Sequence, residues 1–80
     1  VCAAFPAITY SRTDTMPTRR QIVGHNAARK ELCAAEQSII DSRYVCSIFT
    51  QITYSRVDTA LTRRQIVGHN AVYAETCAAI

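Results

Sequence analysis

The stretch Thr18-Arg19-Arg20-Gln21-Ile22-Val23-Gly24-His25-Asn26-Ala27 returns unchanged as Thr62 to Ala71. Around it, residues 1–36 align without a gap on residues 45–80 at a constant offset of 44, and 24 of the 36 pairs are identical. A repeat of this kind predicts a molecule with approximate two-fold symmetry, and so two copies of whatever surface feature the unit carries.

The repeated run reads as the start of a helix. Thr18 to Gln21, and again Thr62 to Gln65, spell a Thr-x-x-Gln capping box, in which the hydroxyl and the amide satisfy free helix N–H groups. A helix of about 18 residues is expected after each box, tolerating Gly24 and Gly68 at about 1 kcal/mol apiece. With Val23 at the centre of a helical wheel, Ile22, Asn26, Ala27, Lys30, Cys33 and Ala34 fall on the core side. The pairs that differ most, Ala28/Val72, Arg29/Tyr73 and Leu32/Thr76, then face solvent, as do His25 and His69. Asn26 and Asn70 point inward, where a carboxamide must be hydrogen-bonded, so they are expected to anchor the neighbouring strand or turn.

Working outward, Val1 to Tyr10 and Val45 to Tyr54 are rich in Val, Ile, Phe, Thr and Tyr, which favours strands. Val45, Ile48, Phe49 and Ile52 also fit a short helix, although Pro6 in the first copy would disturb one. Ser11 to Pro17 and Ser55 to Leu61 are polar and read as turns. Residues 37–44 join the units, with Ile39 and Ile40 as an apolar pair able to dock and Asp41-Ser42 as the break. Lacking a Gly/Ser-rich or Pro-rich spacer, the halves are expected to share a core. The expected class is α+β: a single domain, 1–80, made of a tandem β-turn-α unit (1–36 and 45–80) with pseudo-two-fold symmetry and disulfide staples. An all-α four-helix arrangement is the alternative.

A chain of 80 residues buries only about 60–65% of its unfolded surface, so a covalent staple is expected. The four cysteines match in pairs, Cys2 with Cys46 and Cys33 with Cys77, without Cys-x-x-Cys spacing. If each strand runs one way and its helix returns, the two cysteines of a unit meet, which favours Cys2–Cys33 and Cys46–Cys77. The other symmetric pairings remain open on sequence alone. Disulfides imply an oxidising, extracellular setting, with any signal peptide already removed. No 18-residue apolar run occurs, so no membrane insertion is expected. The net charge of +3 leans towards anionic partners and is too weak to point to nucleic acid.

The sharpest local conflict is Arg19-Arg20, and Arg63-Arg64, in the first turn of a helix, where positive charge opposes the macrodipole by about 0.3–1 kcal/mol per residue. Guanidinium forks beside free N–H groups suit sulfate, phosphate or carboxylate. Surface ion pairs with Asp14 and Asp58 are the plainer reading. Tyr10-Ser11-Arg12 and Tyr54-Ser55-Arg56 place an aromatic face beside charge, a surface on which a sugar ring can stack, and equally the ordinary end of a half-buried strand. The candidate ligand contacts are Arg12, Asp14, Arg19, Arg20 and His25, with Arg56, Asp58, Arg63, Arg64 and His69.

Catalysis is not expected. No close pair of acids suits glycoside hydrolysis, and an even cysteine count leaves no thiol nucleophile. Two histidines alone do not make a metal site, and neither metal nor cofactor is expected. The function expected is that of a small secreted bivalent lectin with one glycan site per repeat, acting on polar or anionic ligands at cell surfaces, with a homodimer allowed. A basic defence protein acting on anionic membranes and an inhibitor of a secreted protein are the alternatives, and a histidine nuclease built across the two-fold axis is the remote one.

Overall fold

The computed structural model describes residues 5–34 and 42–78. Three helices lie among them: α1 (Met16–Ala34), α2 (Ser42–Ile48) and α3 (Ala60–Cys77). No strand occurs among the described residues, so the fold is helical and the α+β expectation is overturned; an all-α arrangement fits. Val45 to Ile48 closes α2, and only the following residues, Phe49 to Tyr54, leave helical structure. Ile39, Ile40 and Asp41 lie outside the described residues.

The strand-like composition was nevertheless informative about the backbone. Ile8 gives its N–H to Asn26 Oδ1 and accepts from Asn26 Nδ2, both at 2.9 Å. Thr9, the next residue, gives its N–H to Gln65 Oε1 at 3.0 Å, and its carbonyl accepts from Gln65 Nε2 at 3.2 Å. Successive peptides thus turn to opposite sides, as in a pleated strand. The second copy repeats this: Asn70 clasps Ile52, and Gln21 clasps Thr53. Side-chain amides have replaced the neighbouring strand, so backbone polarity is satisfied without a sheet. Each segment is held by its own helix through Asn and by the other copy's helix through Gln.

The helix starts are shared in the same crossed manner. The first bonds run from Arg19 N–H to Thr15 O and from Arg63 N–H to Thr59 O, both 3.0 Å, so the helices begin at Met16 and Ala60, earlier than the expected boxes. Pro17 sits within the first turn, where a missing N–H costs nothing. Thr59 is in an extended conformation and its side chain makes no cap. The cap comes from the other copy: Asp14 Oδ1 accepts from Thr59 N–H at 2.6 Å, and Oδ2 accepts from the Thr62 hydroxyl at 2.6 Å. Asp58 does the same for Thr15 N–H and the Thr18 hydroxyl, both at 2.6 Å. Each carboxylate also holds its own turn, through Ser11 N–H and Ser55 N–H at 2.7 Å.

Packing follows the same axis. Ile8, Ile22, Ile52 and Ile66 form one buried cluster, composed of two residues and their repeat counterparts. Phe5, Leu32, Val45 and Phe49 form the other, where Phe5 and Phe49 lie with centroids 4.7 Å apart. The inward face of α1 is Thr18, Ile22, His25 and Leu32, all buried, and that of α3 is Thr62, Ile66 and His69. The wheel centred on Val23 is therefore mis-phased: Val23 is 52% exposed and Val67 51%, whereas Leu32, expected outside, is in the core. Two of the inward positions are Thr and His, so an apolarity-based phase misses them.

Cys46 and Cys77 are joined, tying α2 to the end of α3 with Cα atoms 5.9 Å apart. Restricting a loop of this length stabilises by about 3–4 kcal/mol. Cys33 is also disulfide-bonded; its expected partner, Cys2, lies outside the described residues.

Replacing Asn70 by Ala leaves the Ile52 N–H and C=O without partners and is expected to destabilise by about 2–3 kcal/mol, read as a lowered urea midpoint. The buried carboxylates generate an acid transition. Burial opposes ionisation of Asp58, but bonds from Thr18, Ser55 and Thr15 outweigh it and bring its pKa from 3.8 to about 2; Asp14 is lowered for the same reasons. A depressed folded value means that this stabilisation is complete above about pH 4 and lost as the pH falls towards 2. Chemical denaturation between pH 5 and pH 2 is expected to show it, with a smaller slope in Asp58→Asn.

Candidate functional site

The ten candidate contacts divide into four that the fold consumes and six that it displays. Asp14 and Asp58 are 3% exposed and accept bonds from threonine and serine groups, with no arginine paired to either carboxylate among the described residues. The anion at each arginine-bearing helix start is thus the other copy's own aspartate, which offsets the macrodipole conflict. Neither the surface ion pair nor an open N-terminal anion site describes these residues.

His25 and His69 are 7% and 5% exposed, so the expectation that they face solvent is overturned. His25 donates Nε2–H to the Pro6 carbonyl at 3.2 Å, and His69 donates to Thr50 at 2.8 Å. Their rings meet edge to face with centroids 4.6 Å apart, against Phe49 and Phe5. Donation from Nε2 leaves each Nδ1 as a lone-pair acceptor, buried and unpartnered. Burial pushes the His25 pKa below 6.5; the Pro6 carbonyl opposes this, while His69 and Arg29 reinforce it. Packed in this way, the pair is a core element. No group of three or more His, Cys, Asp or Glu able to hold a metal occurs among the described residues.

Six arginines remain at the surface around the two turns. Arg12, Arg20, Arg56 and Arg64 are exposed, while Arg19 and Arg63 are half-buried. Arg63 is fixed by donation from Nε to the Asp58 carbonyl at 3.1 Å, and the Arg19 guanidinium contacts the Met16 sulfur. In the second copy, Arg63 and Arg64 line a cleft of about 290 Å³ with Tyr54, Ala60 and Val67. Tyr54 and Tyr10 are each 45% exposed, giving both copies an accessible aromatic face beside the turn. Met16 stands in the first copy where the second has Ala60, so the two surfaces are related but not identical.

The sequence pointed to the arginines and tyrosines through the macrodipole conflict and the aromatic end of each segment. It missed Ala60 and Val67. The available signal for Val67 was an apolar residue unchanged between copies at a position that packing leaves free. No known protein-family model, curated protein or solved structure matches the chain.

A buried histidine with a lowered pKa makes a second, milder pH dependence. The unfolded chain takes up its proton near pH 6.5, and folded His25 does so only at lower pH, so its contribution is complete above that value and lost as the pH falls below it. The urea midpoint is expected to decline between pH 7 and pH 5, separately from the carboxylate transition. His25→Gln is expected to flatten that portion of the curve.

Proposed function

We propose that the protein is a disulfide-stapled bivalent binding protein for acidic glycans, secreted, with one contact surface per copy at the turn and helix start. The observation that carries this reading is the cleft formed by Tyr54, Arg63, Arg64, Ala60 and Val67. An aromatic face offers a platform for the C–H side of a sugar ring, and guanidinium forks offer paired donors to carboxylate or sulfate. Because Asp14 and Asp58 are buried and fully engaged, no carboxylate among the described residues lines the cleft to accept sugar hydroxyls. The local inventory is therefore one of donors, which favours an anionic over a neutral saccharide.

Two weak sites on one rigid body bind a multivalent surface more tightly than either alone. The disulfide Cys46–Cys77 is in keeping with an oxidising compartment, and no helix among the described residues is long and apolar enough to cross a membrane. A second reading is favoured by Val57 and Leu61, which are 73% and 58% exposed beside the same arginines: shallow docking on an anionic lipid surface. Vesicles of anionic phospholipid, with and without competing acidic sugar, separate the two.

On an immobilised sulfated or sialylated glycan, Arg64→Ala is expected to weaken retention about tenfold, and Arg20→Ala with Arg64→Ala to abolish it. Retention is expected to fall as salt rises from 50 to 500 mM on the order of the Debye screening of exposed charge. Unchanged retention by the double variant, at a preserved helical circular-dichroism signal, sinks the glycan reading.

A further inference from the structure

The cleft at the start of α3 is lined by Tyr54, Ala60, Arg63, Arg64 and Val67. Their counterparts at the start of α1 are Tyr10, Met16, Arg19, Arg20 and Val23, so four of the five positions are identical and one differs. The shared positions are presented alike: Tyr10 and Tyr54 are each 45% exposed, and Val23 and Val67 are 52% and 51% exposed. Within the lining, the exchange of Met16 for Ala60 is the one source of inequality, and it falls on the first residue of each helix.

Its effect on the neighbouring arginine is visible. Arg63 is anchored by its Nε–H, which donates to the Asp58 carbonyl at 3.1 Å, and neither of its terminal nitrogens is bonded among the described residues. In the first copy the equivalent bond to the Asp14 carbonyl is missing. Arg19 Nε is buried without a partner, and Nη2 turns instead to the Met16 sulfur. A thioether is a weak acceptor and methionine packs adaptably, so Arg19 has exchanged a carbonyl anchor for contact with a side chain that the second copy lacks. Paired donation to two oxygens of an anion needs both donors of one guanidinium edge free and their plane fixed. Arg63 meets both conditions. Arg19 meets neither, because sulfur takes Nη2 and nothing holds Nε.

We propose that Met16 grades the two surfaces: by lying across Arg19 it leaves an anionic group held tightly at the start of α3 and about tenfold more weakly at the start of α1. The two become a primary and an auxiliary site, and the identity of this single residue sets the ratio between them. A monovalent ligand then fills the α3 surface first, and the α1 surface contributes when the ligand is multivalent. The anionic ligand rests on the glycan reading above; the unequal guanidinium forks do not.

The test follows the arginine Nε–H resonances of the ¹⁵N-labelled full chain, disulfides intact, during titration with inorganic sulfate at constant ionic strength. Arg63 is expected to reach half-saturation at about one tenth of the sulfate that Arg19 requires, the worth of one charge-assisted hydrogen bond. Met16→Ala is expected to bring the Arg19 midpoint down to that of Arg63, and Ala60→Met to raise the Arg63 midpoint by about tenfold. A chain carrying both substitutions should exchange the two midpoints, a result that loss of stability cannot imitate. Both positions are exposed, so the variants should keep the helical circular-dichroism signal. Equal midpoints in the unaltered protein, no saturable shift at either arginine, or midpoints that ignore both substitutions overturn the proposal. Failure of the glycan reading is read separately: a graded pair of sulfate midpoints with no retention on the immobilised acidic glycan removes the sugar and leaves the role of Met16 standing.

Discussion

The exchange of carboxylates between the two copies is the constraint on which the remaining structure depends. Asp14 reaches across to Thr59 and Thr62, and Asp58 to Thr15 and Thr18, so that each helix begins on an anion supplied by the other half. Buried ions are costly unless fully hydrogen-bonded, and here each carboxylate accepts bonds both from its own turn and from the opposite helix. That places both turns against both helix starts at once. Once those four elements are fixed, Gln21 and Gln65 are in reach of the opposite extended segments, and the isoleucine cluster closes between them.

One copy alone would present an uncapped helix, a carboxylate bonded only to its own turn and an extended segment missing one of its two clamps. The duplication thus serves the fold itself. This separates two kinds of agreement between the halves. Thr18, Gln21, Ile22 and His25 each touch the opposite copy, directly or through the core, and Asn26 clasps its own copy's segment, so a change in one would need a matching change elsewhere. The extended segments are governed by the same logic, since their composition is that of a strand while their partners are side-chain amides.

The sequence carried much of this, but not in the form that propensity scales read. The helix lengths, the turns with their aspartates and the inward carboxamides could be inferred from spacing alone; the Cys46–Cys77 pairing was favoured by an assumed strand-and-helix layout, with other symmetric pairings left open. The sheet could not be excluded, because a Val/Ile/Thr/Tyr segment has the same composition whether its backbone meets a strand or a row of Asn and Gln. Helix phase was lost for a related reason: the inward face of α1 runs through Thr18 and His25, polar residues that bond to distant parts of the chain, Asp58 and Pro6. The arginines were legible because charge at a helix start is locally unfavourable, whereas the aspartates that resolve that conflict lie 38 to 50 positions away in sequence.

What packing does not explain lies on one face. Of the ten residues that return unchanged as Thr62 to Ala71, Arg20, Val23, Gly24 and Ala27 are exposed, and they fall at spacings of three, four and seven, a single stripe along α1 with its equivalent on α3. Elsewhere the copies have diverged wherever the interior allowed it: Arg29 bonds the Phe5 carbonyl while its counterpart Tyr73 stacks on His69, and Leu32 fills a core position opposite Thr76. Exposed positions in the turns and extended segments have diverged as well, at Pro6/Thr50, Thr13/Val57 and Pro17/Leu61, so identity along the open stripe stands out against them. On α3 the stripe carries Arg64 and Val67 of the arginine cleft and Gly68 of a groove bounded by Pro6, Ala7 and Ile8, so the two openings are neighbours on one face.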